Sequence, residues 1–130
     1  MEDYYECGDG WIPLIEEAKT IVSKYNLKHS DSDDPLEFTQ IKEKWGGLCL
    51  YLNYYVPEVS HRIRALENKS FEICEYCGTN KNVERKNTHG WIMTLCDKCR
   101  EEEIKRFNEF YGKSISREKE NKEGTNKETT

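Results

Sequence analysis

Two Cys-x-x-Cys pairs, Cys74/Cys77 and Cys96/Cys99, are separated by 18 residues, and nothing else in the chain narrows its possible folds as far. Thiolates two residues apart can bind one ion through a tight turn, and a tetrahedral metal takes four such donors. The spacing Cys-x2-Cys-x18-Cys-x2-Cys lies in the range of zinc sites. Gly78 directly follows the first pair, where a knuckle often needs a positive φ. A helical pattern begins at the second pair. The expectation is one structural Zn2+ held by Cys74, Cys77, Cys96 and Cys99. A redox pair would need only one such motif, in a different setting. Cys7 and Cys49 stand outside the set and lack the partners for a second site.

The chain has 130 residues and a formal net charge of −5. Residues 1–45 hold 11 acidic and 5 basic side chains, so most of the acidity sits in the first third. A general nucleic-acid binder usually shows a basic stripe, because phosphate neutralisation supplies much of its affinity. This chain shows none, and its acidic third suits a basic protein surface. No apolar run approaches the roughly 20 residues of a membrane span, so no membrane role is expected. The acidic start "MEDYYECGDG" lacks the apolar stretch of a secretory signal. A cytosolic (cytoplasmic) location follows, and there cysteines favour metal over disulfides.

Periodicity predicts an α+β fold. Leu14, Ala18, Ile21, Val22 and Tyr25 recur at three- and four-residue steps and define a first helix, with Asn26 suited to a left-handed residue at its end. "LEFTQIKEKWGGLCLYLNYY" reads as a β-hairpin turning at Gly46-Gly47, which pairs Trp45 with Leu48 and Ile41 with Leu52 on an apolar face. Pro57 opens a second helix that buries Val59, Ile63 and Leu66. These elements form an expected α-β-β-α domain over 1–70. A four-cysteine zinc-binding module of treble-clef or zinc-ribbon type is expected over 71–112, with a hairpin between the cysteine pairs and a C-terminal helix carrying Ile104, Phe107 and Tyr111. Residues 113–130 have almost no apolar content and are expected to form a disordered tail.

The knuckle, hairpin and helix-entering pair resemble a treble-clef finger, an arrangement also found in His-Asn-His nucleases. Those enzymes need a second metal held by paired histidines, and here His89 stands alone between the knuckles. Four thiolates would also leave zinc no position for a reacting water. No enzyme activity is expected. His29 and His61 sit in polar settings without partners of metal-ligand spacing. A cluster of Lys81, Arg85, Lys86, Lys98, Arg100, Lys105 and Arg106 around the cage supports a second expectation, direct nucleic-acid binding by a small zinc-finger regulator. Glu84 and Glu101 to Glu103 interrupt that cluster.

Four pieces in order, "CGDGW-x-PLI", "QIKEKWGGL", "CEYCG" and "HGWIMTLCDKC", resemble a group of small phage and prophage proteins over roughly residues 7 to 99. The chain departs from that group at Cys49, where a basic residue is expected in many relatives. Zinc-containing proteins of this sort include phage inhibitors of bacterial immunity, and the chain resembles an anti-CRISPR protein acting on a type II effector. The resemblance implies a bacterial defence protein as partner, a Cas9-type effector whose positively charged channels hold nucleic acid. The candidate partner face comprises the acidic loop residues Asp31, Asp33 and Asp34 and the hairpin aromatics Tyr51, Tyr54 and Tyr55.

Overall fold

The computed structural model describes the backbone of residues 5–121 and the side chains of residues 5–112. Among them, strand β1 (Tyr5–Glu6) precedes a short turn of 3-10 helix at Asp9–Trp11 and helix α1 (Ile12–Lys28). Strands β2 (Phe38–Lys44) and β3 (Gly47–Leu52) follow, then helix α2 (Pro57–Lys69). The second half contains strands β4 (Val83–Asn87) and β5 (Ile92–Cys96) and helix α3 (Asp97–Asn121). The first sheet has the order β1-β2-β3, with β1 parallel to β2 and β2 antiparallel to β3; β4 and β5 form a separate antiparallel pair. The architecture is α+β, as the periodicity predicts.

The main core lies between α1, α2 and the first sheet. Trp11, Leu14, Ile15, Ala18, Ile21 and Val22 from the N-terminal segment meet Ile41, Leu48 and Leu50 from the strands and Val59, Ile63 and Leu66 from α2. A second, much smaller cluster of Cys74, Met93, Leu95, Cys96 and Cys99 surrounds the cysteine site. Five small or medium side chains bury little area, so a metal ion held at this site would add stability.

The first hairpin turns one residue earlier than expected. Its register pairs Ile41 with Leu50, Lys42 with Cys49, Glu43 with Leu48 and Lys44 with Gly47, leaving Trp45-Gly46 as the turn. A two-residue hairpin turn of type I′ needs positive φ at both central positions. Trp45 (φ 53°) and Gly46 (φ 81°) supply it. Gly47 is a glycine for another reason: a Cβ there would lie 2.6 Å from the Phe71 ring. The shift takes Trp45 off the core face, and it is 65% exposed. The Glu43 carboxylate braces the turn by accepting the Gly46 N–H at 2.7 Å.

Asn26 differs as well. It lies inside α1, and its side chain brackets Leu36, donating to the carbonyl and accepting from the N–H at 2.9 Å each. Helix α3 is longer than the stripe of Ile104, Phe107 and Tyr111 suggests: its backbone continues past Gly112 to Asn121. The rest of the expected tail, 122–130, lies outside the described residues. Among the described residues, no helix is long and apolar enough to cross a membrane.

Candidate metal centre and flanking surfaces

The two cysteine pairs meet through two matching turns. The Cys77 N–H donates to Cys74 Sγ at 3.5 Å, and the Cys99 N–H donates to Cys96 Sγ at 3.4 Å. The first turn closes with Gly78 N–H to the Cys74 carbonyl at 3.0 Å and needs Gly78 at φ 84°. The second opens α3 directly. All four Sγ atoms lie within 4.8 Å of one another, and Cys77 Sγ stands 3.8 Å from Cys96 Sγ. That separation is far beyond a disulfide bond of about 2.05 Å, and all four cysteines are free. It matches the edge of about 3.8 Å that four sulfurs at about 2.3 Å from a central zinc would make. The set could hold a metal ion.

Electrostatics point the same way. Burial and the neighbouring thiols of Cys96, Cys74 and Cys77 push the Cys99 thiol far above its ordinary range. Burial also acts against ionising Cys74, but backbone N–H groups of Cys77, Cys96 and Tyr76 overcome it and bring that thiol down to about 7. Four thiols this close together, three of them buried, ionise together more readily with a cation among them. Metal affinity must therefore fall with acid, since each proton that returns to sulfur competes with the ion.

The cage is tied to the N-terminal segment as well as to α3. Gly10 N–H donates to the Glu75 carbonyl at 2.7 Å, and Gly8 N–H donates to Glu75 Oε2 at 2.9 Å. Trp11 is fully buried and its indole N–H reaches the Ile73 carbonyl at 2.9 Å. A Cβ on Gly10 would fall 2.1 Å from the Cys74 carbonyl oxygen. "CGDGW" is thus a docking segment for the first knuckle. Cys7, in the same segment, stays outside the metal set; burial, then Glu75, Asp9 and Glu43, push its thiol up to about 11.

The cation cluster expected to grip nucleic acid is mostly committed elsewhere. Arg100 is buried, and its guanidinium donates to the carbonyls of Glu84, Lys86 and Leu95 and to Thr88 Oγ1, stapling the β4-β5 hairpin to α3. Arg85 donates from Nε to the Trp45 carbonyl at 2.7 Å and lies over the Phe71 ring. Lys86 pairs with Glu84, and Arg106 with Glu103. Of the seven, Lys81, Lys98 and Lys105 remain as exposed cations whose side chains make neither an ion pair nor a hydrogen bond among the described residues.

His89 belongs to a network rather than to the cage. Its Nε2 lies 2.8 Å from Glu103 Oε2, and its ring stacks on Phe107 at 4.3 Å. Glu103 Oε1 accepts from the Tyr76 hydroxyl and from Arg106. Burial works against the Glu103 charge, but hydrogen bonds from His89, Tyr76 and Arg106 hold its carboxyl below the ordinary range. The unfolded chain regains the ordinary carboxylate value, so this stabilisation is present at neutral pH and is lost as pH falls through the lowered folded value. Glu103→Gln should cost about 1 kcal/mol at pH 7. The gap to the native chain should close below about pH 4, measured by denaturant unfolding across a pH series.

The residues expected to face a partner fall together in part. Asp31, Asp33 and Asp34 are all exposed on the loop between α1 and β2. The Tyr54 hydroxyl donates to the Asp34 carbonyl at 2.7 Å. Asn53 adds bonds to the Pro35 carbonyl and the Glu37 N–H, and Asn26 holds Leu36. Tyr55 is 75% exposed, and Tyr51, Tyr54 and Tyr55 line one shallow groove with α2. The exposed indoles of Trp45 and Trp91 are functional candidates that the pattern of charges and cysteines did not signal. No known protein family, curated protein or solved structure matches the chain.

Proposed function

We propose that the chain is a non-enzymatic protein inhibitor of a bacterial defence effector, built on one zinc held by Cys74, Cys77, Cys96 and Cys99. The partner is a basic, Cas9-type effector, and the chain occupies its nucleic-acid path without chemistry. One observation carries the reading: the exposed acidic loop is pinned at its C-terminal end, from Asp34 to Glu37, by side chains of two other segments, Asn26 on α1 and Asn53-Tyr54 after β3. Loops with exposed carboxylates are common, but anchoring this one at its end lowers the ordering cost of binding, which favours recognition by a fixed surface. Its charge suits a positive channel and would speed encounter. Tyr55 beside it offers a large amphipathic ring of the kind enriched at interface anchors.

The zinc has a purely organising part in this reading. Four thiolates fill its tetrahedron, and the chain's own residues around it hold β4, β5 and α3 in place. The test is a cleavage assay with purified Cas9-type effectors at increasing ratios of this protein. Stoichiometric loss of cleavage is expected. The combined Asp31→Asn, Asp33→Asn and Asp34→Asn variant should weaken inhibition at least tenfold, chiefly through association rate. Its Tyr54 bond survives, because the acceptor is the Asp34 backbone carbonyl. Unchanged cleavage across several effectors, with no complex formed, would remove the proposal.

A further inference from the structure

A groove between the tips of the two hairpins is walled by the only two exposed tryptophans among the described residues, Trp45 (65% exposed) and Trp91 (62% exposed). Lys42 and Lys44 line it from β2, and neither is ion-paired among the described residues. The one carboxylate in its wall, Glu43, is occupied by the Gly46 N–H. From Trp91 a second shallow groove continues along α3, walled by Phe107, Phe110 and Tyr111.

The backbone beneath Trp45 is unusual. A bulky residue with φ 53° is a steric outlier, because this region favours glycine or asparagine. An Asn-Gly turn would suit the same hairpin without that cost. The tip is instead forced into place by three hydrogen bonds, two of them from the other hairpin and one from within its own. Arg85 donates to the Trp45 carbonyl at 2.7 Å, Thr94 Oγ1 donates to the Gly46 carbonyl at 2.6 Å, and Gly46 N–H meets Glu43 at 2.7 Å. Strain over-determined by its surroundings is a feature of binding sites. Here it projects an indole into solvent, where it contributes nothing to the core.

We infer that this groove binds a short stretch of single-stranded nucleic acid, with bases stacked on Trp45 and Trp91 and backbone phosphates neutralised by Lys42 and Lys44. Flat aromatic faces alternating with unpaired cations are how such strands are held without sequence readout. The groove is partly enclosed and its wall is mostly apolar, so flat indole faces rather than hydrogen-bond readout supply the larger share of contact. Its local charge is positive on a chain of net charge −5, which restricts binding to this patch and makes it dependent on stacking. The site is separate from the acidic loop, and the Asp31, Asp33 and Asp34 substitutions leave it intact.

The test is titration of the metal-loaded full chain with dT10 and rU10 oligonucleotides, read by quenching of tryptophan fluorescence. Trp11 is fully buried and serves as a constant background. Saturable quenching is expected, weakening about sevenfold between about 50 and 200 mM salt, the change two neutralised phosphates produce. Trp45→Ala and Trp91→Ala should each lower affinity about tenfold, and Lys42→Gln with Lys44→Gln should flatten the salt dependence. Trp45→Asn separates function from folding: it should raise the melting temperature while losing the same affinity as Trp45→Ala. Duplex DNA should bind more weakly than the single strands. The inference is overturned if neither oligonucleotide quenches at low salt, or if the tryptophan variants bind as the native chain does. Quenching by an acidic peptide such as polyglutamate, in place of the oligonucleotides, would also overturn it and assign the groove to a protein.

Discussion

Cys96→Ser is expected to abolish metal binding and unfold the second half of the chain. The small cluster around the site consists of Cys74, Met93, Leu95, Cys96 and Cys99, three of them metal-site cysteines themselves. Removing one thiolate leaves Met93 and Leu95, the partly buried Tyr76 and Val83, and the Arg100 staple to hold β4, β5 and the start of α3. Zinc contributes an apparent 10 to 16 kcal/mol, roughly, in isolated zinc-finger peptides, as much as the whole stability of a typical domain. Chelation of the native chain should have the same result. Hydrogen exchange should show amides of Ile92–Cys96 and Asp97–Arg100 losing protection, while β2, β3 and α1 keep theirs. Their core of Trp11, Ile15, Ile41, Leu50 and Ile63 contains none of the four cysteines. Unchanged protection of β5 in chelator would show that packing alone holds the module.

Trp11→Ala should have the next largest effect, about 4 kcal/mol. The side chain is fully buried, so truncation leaves a cavity in the main core. It also removes the donor to the Ile73 carbonyl, which lies immediately before the first knuckle. The loss should therefore appear twice, once in global stability and once in weaker metal retention. Gly10→Ala probes the same contact from the backbone side. Its new methyl would collide with the Cys74 carbonyl, a rigid group that cannot turn away, at an expected cost of about 3 kcal/mol. Urea unfolding gives the stability, and competition with a chromophoric chelator gives the metal retention. If Trp11→Ala lowers stability and leaves metal affinity unchanged, the two halves are not coupled through this segment.

Much of the fold was legible because apolar periodicity reports packing directly. Leu14, Ala18, Ile21 and Val22 in α1 and Val59, Ile63 and Leu66 in α2 are buried as their spacing predicts. The four cysteines converge as their spacing predicts. What was not legible depends on contacts distant in sequence. "WGG" offers two places to turn, and Phe71, more than twenty residues away, decides between them by packing on Gly47. Arginine is rarely buried, so nothing local marks Arg100 as the staple of a hairpin whose carbonyls it reaches across the module. Asn26 suits a helix terminus by type, yet its partner is the backbone of Leu36. Trp45 reads as a core residue in an alternating strand until the turn moves it to the tip.

The central claim is that four thiolates close around one zinc, and that function resides on the surfaces this clasp holds steady. Native mass spectrometry of the purified chain tests it most directly, because it reads metal identity, stoichiometry and proton loss together. The predicted result is one zinc per chain, with thiol protons displaced on binding, and a metal-free species when Cys77 or Cys96 is replaced by serine. A chain that retains full native mass and folded charge states without metal, or one whose four cysteines are joined in disulfides, would contradict the account.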